Sequence, residues 1–407
     1  MINNSVNFCP VCKKNNSRNF FSVDNFPYFS IPLNVNDIFA IKSNPDLKSP
    51  EEKLGASNCL NCDHGYLNKI PNFKILDKLY SAYYNYPSPL KGNFKPVRDN
   101  NFIKVFLKNT IFKKSKKEKL KAFEIGCFDG YVLKKLQERG FSVLGCDPSK
   151  GAIIGQKAGL KIIRKFFDPQ KRKYGKFDYV IARHLIEHVI DPAKWLEDLK
   201  KVTKPNGKIF IETPNIGFFI NRGMPSVFTL QHLHYFSKNS LSKLVQKMGL
   251  EVKRCEEIED NLILIAKFKS NKIKKTSKNK KENFLKFKKN LITSRKYVKK
   301  TLSKFNTLKG DIAVWGAGGF GGSCHLFWNF PVKKINFFID SDANKHGMKF
   351  LGSEAPIISP QLAKTKKIKL IITASMYSEK IVKSIYEQGF SCPILSLYPK
   401  VILKKNK

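Results

Sequence analysis

Long apolar runs are missing from this sequence. None of its 407 residues starts an uninterrupted hydrophobic stretch near the roughly 18 needed to span a bilayer, so no membrane span is expected. The opening Met1-Ile-Asn-Asn-Ser-Val-Asn-Phe lacks the charged start and apolar segment of a secretion signal, and the expected setting is the cytoplasm. Acidic residues are scarce, 32 Asp plus Glu against 75 Lys plus Arg, for a net charge of +43. Arginine is scarce too, at nine of those 75. A nucleic-acid reader draws on arginine for bidentate base and phosphate contacts. The lysines here are instead spread through every region, so no direct nucleic-acid partner is expected, and the diffuse positive field favours anionic small molecules. Nine cysteines, an odd number without an export signal, exclude a disulfide framework and direct attention to metal binding.

What is present suffices for folding. With 42% hydrophobic residues over this length, the chain can bury two or three cores, because domains run roughly 100 to 200 residues. Cysteine appears as Cys9-Pro-Val-Cys12 and again as Cys59-Leu-Asn-Cys62, with 46 residues between the pairs. Two such knuckles aim four thiolates at one point, the tetrahedral arrangement that structural Zn²⁺ takes. A redox pair is the rival, yet no thioredoxin-like strand and helix flank either pair. The expectation is a zinc-binding module over residues 1–75, with Cys9, Cys12, Cys59 and Cys62 as ligands and His64 as a surface residue.

A helical and aromatic connector is expected over 76–118. Over 119–268 apolar strands alternate with amphipathic helices: KAFEIG, FSVLGCD, FDYVIA and GKIFIET read as strands, and YVLKKLQERG, Pro192 to Val202 and SLSKLVQKMG as helices. That alternation builds a parallel sheet covered on both faces, and LEVKRCEEI followed by NLILIAKF predicts an antiparallel edge. Residues 269–308 read as a basic linker running into a helix. A smaller α/β unit follows over 309–407, from DIAVWG through a glycine-rich turn to CPILSLYP.

The chemistry-bearing residues sit at strand ends. Glu124-Ile-Gly126-Cys127-Phe128-Asp129-Gly130 closes a strand, turns, and enters a helix whose N-terminal amides face a ligand. Asp147 ends the next strand about twenty residues on, where a carboxylate grips ribose hydroxyls. Nicotinamide-binding domains share that logic. Taken in order with FDYVIARHLIEHVIDPAKWL and LKKVTKPNGKIFIETPN, however, the set resembles the class I S-adenosylmethionine (SAM) methyltransferases over about residues 100–268. The resemblance implies SAM at the C-terminal edge of the sheet, with Glu124, Gly126 and Gly130 around it and Asp147 on its ribose. The family's second glycine is Phe128 here, a departure expected to narrow the turn. Phe167 and Asp168 are candidate adenine contacts, and Arg183 and His184 candidates for the methionine end or the substrate.

Within the same segment, His184-Leu-Ile-Glu187-His188 spells the H-x-x-E-H of inverted zincin proteases. That chemistry needs both histidines on one established helix. Here the string follows a buried strand directly, and Asp191-Pro192 opens the next helix, since Pro suits a first helical turn. The string is therefore expected on a turn above the cofactor edge, with Glu187 and His188 fixing it by local hydrogen bonds.

The whole chain resembles the three-domain C-methyltransferases of nucleotide-sugar biosynthesis, with a zinc module in front, a small Rossmann-like domain behind, and Tyr84-Asn-Tyr86-Pro-Ser88 matching that family's aromatic Y-x-Y-x-S element. The resemblance implies a Glu-His pair at 231–232 and a Tyr two residues before the Glu; this sequence has Thr229, Gln231 and His232. His232 is thus the candidate base, Gln231 an orienting partner, Tyr84 and Tyr86 candidate substrate contacts, and His234 structural. A base is needed before either a carbon or an oxygen attacks a sulfonium methyl, so C- and O-methylation both stay open. So does a non-catalytic sugar-nucleotide-binding role. Trp315-Gly316-Ala-Gly318-Gly-Phe-Gly321, with Asp340 about twenty residues on, spells G-x-G-x-x-G. The remaining length holds only one mononucleotide-binding half, so a nucleotide diphosphate on the substrate fits there better than NAD, and a tight strand-to-helix turn with no ligand is the other reading. The expected architecture is α/β: a central Rossmann-like SAM methyltransferase domain between a small N-terminal zinc-binding module and a C-terminal Rossmann-like domain. The expected partner is a nucleotide-sugar or another small-molecule substrate.

Overall fold

The computed structural model describes residues 5–28, 30–47, 51–83, 88–92, 96–110, 119–269 and 282–405. Tyr84 and Tyr86, and residues 270–281 of the expected basic linker, lie outside the described residues.

The N-terminal part comprises β1 (Ser17–Pro27), β2 (Pro32–Leu33), α1 (Val35–Ser43), β3 (Glu51–Cys59), β4 (Gly65–Leu67), α2 (Phe73–Tyr83) and α3 (Val97–Lys108). β1 and β3 pair antiparallel from Ser17↔Cys59 to Pro27↔Glu51, which brings the two cysteine knuckles to the same end of the ribbon. The knuckles are built alike. After each second cysteine the chain enters the left-handed region, at Lys13 (φ 62°) and Asp63 (φ 63°). Each of these residues donates its N–H to the carbonyl of the first cysteine, Lys13 to Cys9 at 2.8 Å and Asp63 to Cys59 at 3.0 Å.

The central part runs β5 (Lys121–Ile125), α4 (Tyr131–Gln137), β6 (Ser142–Cys146), α5 (Gly151–Lys157), β7 (Ile162–Ile163), β8 (Phe177–Arg183), α6 (Pro192–Val202), β9 (Thr203–Pro214), α7 (Ile216–Asn221), β10 (His234–Tyr235), α8 (Lys238–Lys247), β11 (Leu250–Ile258) and β12 (Asn261–Phe268). Its seven-stranded sheet has the order β11-β12-β9-β8-β5-β6-β7. β7, β6, β5, β8 and β9 are parallel, and β12 and β11 form the antiparallel edge. The centres of β5, β8, β9 and β12 are buried, as continuous apolar strands must be when helices cover both faces. Chain order reverses between β5 and β8, so the loops leaving them diverge and open a crevice at their C-terminal ends.

That reversal places the H-x-x-E-H string. The Asp191 carboxylate accepts from Ala193 N–H at 2.9 Å and Lys194 N–H at 3.1 Å, and Pro192 fills the first turn of α6. Residues 184–190 are accordingly turn rather than helix. β10 leaves the central sheet and joins β4, with His234↔Tyr66 and Tyr235↔Gly65, so the loop before it is held by the cysteine-knuckle sheet. His64 is drawn into this junction. The expectation of a surface histidine is corrected: it is 0% exposed, because its knuckle folds onto β10 and brings His64 Nε2 to 3.2 Å from His234 Nδ1.

The C-terminal part comprises α9 (Phe284–Phe305), β13 (Asp311–Trp315), α10 (Gly319–Phe327), β14 (Phe337–Ile339), β15 (Lys349–Phe350), β16 (Ile357–Ile358), α11 (Pro360–Lys364), β17 (Ile368–Thr373), α12 (Ser378–Glu387), β18 (Ile394–Ser396) and β19 (Ile402–Lys404). Its sheet order is β16-β14-β13-β17-β18-β19, parallel except for the last pair. β15 pairs with β2, and one apolar cluster joins Phe20, Phe26, Phe228, Phe287, Phe327 and Trp328. The N-terminal strands therefore share a core with the C-terminal unit.

Candidate active site

The turn after β5 explains its glycines. Gly126 (φ 70°) and Gly130 (φ 77°) sit in the left-handed region, which costs other residues about 1–2 kcal/mol. Phe128 adopts it as well (φ 48°), with its N–H donated to Asp147 Oδ2 at 2.8 Å. Its ring lies against Gly151 at the start of α5, where an added Cβ would come within 2.4 Å of the ring. Asp147 Oδ1 accepts from Ser149 N–H at 2.8 Å, so this carboxylate is fixed at the tip of β6. Asp129 latches the connector onto the same turn: it accepts from Ser88 Oγ at 2.6 Å, Leu90 N–H at 2.9 Å and Tyr131 N–H at 3.0 Å. Ser88 itself is thus fixed beside the glycine turn.

Arg183, at the end of β8, is held by carboxylates. Its Nε donates to Glu212 at 2.6 Å and its Nη1 to Asp99 at 2.8 Å, with Glu124 Oε1 at 3.6 Å from Nη1. The guanidinium also stacks 4.8 Å above the Phe102 ring. Two of its three nitrogens are therefore engaged inside the protein, where the sequence pointed to cofactor or substrate. Glu124 Oε2 is buried without a hydrogen-bond partner, and burial pushes the carboxyl up to about 8. An acceptor so placed, beside a glycine turn at the head of β5, suits a cationic group such as the ammonium of SAM's methionine portion.

His184 follows Arg183 in the left-handed region (φ 50°), with its N–H on Glu212 O at 2.8 Å. Its Nδ1 lies 3.3 Å from Glu187 Oε1, and its Nε2 is buried without a hydrogen-bond partner. His188 Nδ1 lies 2.8 Å from Gln231 O, and His232 Nδ1 lies 2.9 Å from Val227 O. Carbonyls only accept, so in both neutral rings Nδ1 carries the hydrogen and Nε2 keeps its lone pair. The two rings meet edge to face at 4.9 Å. Burial draws His188 down to about 4 and His232 to about 3, with His188 adding to the latter. Gln231 Nε2 donates to Tyr28 O at 3.0 Å, tying this loop to the end of β1 rather than to His232.

After the third strand two neighbouring aromatics take different places. Phe167 packs inward against Phe123 (5.9 Å) and Tyr174 (5.2 Å), whereas Phe166, 66% exposed, lines a cavity with Pro148, Asp168 and Tyr174. Asp168 Oδ1 accepts from Gln170 N–H at 3.0 Å and so also caps its own turn.

Among the described residues two groups have the donor chemistry for a metal. The four sulfurs of Cys9, Cys12, Cys59 and Cys62 lie within 4.8 Å of one another, with 3.5 Å between Cys9 and Cys62 and between Cys12 and Cys59. Tetrahedral Zn–S bonds of about 2.3 Å need sulfurs about 3.8 Å apart, so the cluster fits Zn²⁺. Glu187, His188 and His232 also each bring one ligand atom within 4.8 Å of the others.

Residues 102–254 match the family described as "Methyltransferase domain", and residues 265–388 match the "C-methyltransferase C-terminal domain". The chain therefore carries a methyltransferase domain followed by a C-methyltransferase C-terminal domain. Among curated proteins this methyltransferase is similar to the ubiquinone biosynthesis O-methyltransferase of Pelagibacter ubique (strain HTCC1062), 33% identical over 138 residues, which covers 30% of this chain and 58% of that protein. It is similar to the enzyme of the same name from Pseudomonas aeruginosa (strain LESB58), 28% identical over 181 residues, covering 40% of this chain and 77% of the other. Among solved structures, the magnesium protoporphyrin IX methyltransferase of Synechocystis PCC 6803 with bound SAM aligns at 13% identity and a TM-score of 0.32, over 42% of this chain and 79% of that one. The chain thus spans 58% of the first of these relatives, less than two thirds of its length.

Sequence reasoning missed several residues of the methyltransferase site. Asp99 and Glu212 around Arg183, Asp129 beneath Ser88, and Thr213, whose Oγ1 donates to Glu187 Oε2 at 3.0 Å, were not singled out. Asp129 lies within the glycine-turn motif and Glu212 and Thr213 within the β9 segment, whereas Asp99 carries no motif.

Proposed function

We propose that this methyltransferase transfers a methyl group to carbon on a nucleotide-linked sugar. The observation that supports carbon over oxygen is the match of residues 265–388 to the C-terminal domain of C-methyltransferases. Bound SAM supplies an electrophilic methyl group. Glu124 and the Gly126–Gly130 turn hold its amino-acid end, Asp147 its ribose, and Asp168 with the β7 loop its adenine; Arg183 and His184 border the methionine end. His232 accepts the proton of the acceptor, since its Nδ1 is fixed on a carbonyl and its Nε2 keeps a lone pair. Gln231 holds the loop in place through Tyr28, and Tyr84 and Tyr86 contact the sugar. The four cysteines hold a structural Zn²⁺, which supports β4 and, through β10, the His232 loop. Much of the acceleration then comes from aligning nucleophile, methyl carbon and sulfur. O-methylation is the second reading, favoured by the O-methyltransferase names of the curated relatives. Zinc-loaded protein incubated with ¹³C-methyl SAM and nucleotide-linked keto sugars decides between them: a product methyl with a C–C coupling supports the proposal, and an O-methyl shift selects the second reading. Full turnover by His232→Gln would remove the base assignment.

A further inference from the structure

Position 231 is a neutral glutamine engaged by Tyr28, so His232 has no negative charge next to it along its own loop. A carboxylate nonetheless stands beside it. Glu187 is 1% exposed, and its Oε1 lies 3.3 Å from His184 Nδ1 and 3.9 Å from His188 Nε2, while a ring nitrogen of His232 is within 4.8 Å of both Glu187 and His188. Thr213 Oγ1 holds the other oxygen at 3.0 Å. The backbone of Glu187 fastens the same junction, because its carbonyl accepts the N–H groups of Leu233 at 2.7 Å and His234 at 3.1 Å. Three imidazoles from two loops therefore surround one buried carboxyl. The other charged groups facing it have partners: Glu212 is bonded to Arg183, and Arg98 of α3 is paired with Asp260 at 3.3 Å.

We propose that Glu187 is the counter-charge for the proton that the methyl acceptor loses, a positioning residue that acts through His232 and His188 in place of the acidic neighbour missing at 231. This rests on the reading that His232 is the base. The acceptor's C–H or O–H proton moves to an imidazole lone pair; the electron pair left behind forms the new bond to the methyl carbon, and the methyl–sulfur bond breaks with its pair going to sulfur. The proton later leaves to solvent as product departs. With Glu187 ionised, the cluster passes from −1 to neutral in that step. Without it the cluster passes from neutral to +1 in a buried site, the change that burial opposes most. Accordingly the cluster accepts a proton only once Glu187 has released its own, and burial holds that carboxyl up at about 8.

The test needs no acceptor. Carboxyl ¹³C and imidazole ¹⁵N NMR are recorded on the full, zinc-loaded chain saturated with S-adenosylhomocysteine. The Glu187 carboxyl is expected to titrate near 8, with the His188 and His232 signals moving in the same step. In Glu187→Gln that histidine step disappears; Glu187→Asp restores it. On an acceptor, once one is found, Glu187→Gln lowers turnover roughly tenfold or more and removes the alkaline rise in rate. A Glu187 carboxyl that stays protonated up to about pH 10 overturns the proposal, as do histidine signals that titrate identically in the Gln variant. So does a second divalent cation per chain, beyond the one at the four cysteines, that is lost in the Gln variant, since Glu187 is then a ligand. If the Gln variant does not fold, the wild-type carboxyl titration and the Asp variant decide. A wrong choice of sugar leaves these spectra unchanged, so failure of the substrate reading is separable.

Discussion

Replacing Arg183 with Met separates a structural role from cofactor contact. The guanidinium makes two short hydrogen bonds to carboxylates, 2.6 Å to Glu212 and 2.8 Å to Asp99, each worth about 1.5–3 kcal/mol as a charged pair. Met refills most of the apolar volume over Phe102 but leaves Glu212 and Glu124, both with side chains 2% exposed, without their cation. Breaking a buried pair from one side costs about 3–5 kcal/mol, because the stranded charge cannot be hydrated. For a domain of this size that lowers the melting temperature by roughly 10 °C. The loss should shrink as pH falls from 8 to 5, since the stranded carboxylates can then be protonated. Scanning calorimetry reads the transition, and titration calorimetry with SAM well below it reads the cofactor. An unchanged transition with SAM affinity reduced tenfold or more would refute the reasoning and return Arg183 to the cofactor. Equal destabilisation at both pH values would show that the carboxylates are not what the arginine holds.

Three further outcomes are expected. Ser88→Ala removes a 2.6 Å hydrogen bond to the Asp129 carboxylate, worth up to about 2 kcal/mol, and SAM affinity should fall by up to roughly 30-fold; no change would detach the connector from the cofactor turn. Cys59→Ser, or chelation of the wild type, should release one zinc per chain by mass spectrometry and speed hydrogen exchange at 229–235 before the β5–β9 sheet responds. Exchange unchanged there would mean that β4 and β10 do not depend on the metal. Glu124 and Glu187 are both raised by burial to about 8, so between the usual carboxylate range and that value the native state keeps protons that the unfolded state releases. Their contribution to stability is full below about pH 4.5 and is lost as pH rises through about 8, at roughly 1 kcal/mol per unit for each group. Urea unfolding of zinc-saturated protein between pH 6 and 8.5 should show this decline, and a rising stability would contradict it.

The parts of the site legible in sequence were those written in neighbouring residues. The glycine turn, the Asp147 strand end, the paired knuckles and the Asp191-Pro192 helix start each need only local backbone geometry, and periodicity located the strands that carry them. Phe166 and Phe167 follow the two-residue β7 in an irregular stretch, so periodicity in the sequence does not set their facing; in the fold Phe167 packs against Phe123 and Tyr174. His64 was misread because nothing near Cys62 announces that β10, far along the chain, will cover it.

The sequence by itself determined an α/β chain with a SAM-type sheet edge, a four-cysteine group and a turn rather than a protease helix at His184–His188. Local rules are enough for these, because caps, turns and strand periods act over a few residues. Only the tertiary structure decided that Arg183 is held by Glu212, Asp99 and Glu124, and that Glu187 stands among three imidazoles. Those encounters join α3, the end of β8, β9 and the loop before β10, and burial, which exists only in the folded chain, raises the Glu124, Glu187 and Glu212 carboxyls and lowers the His184, His188 and His232 imidazoles.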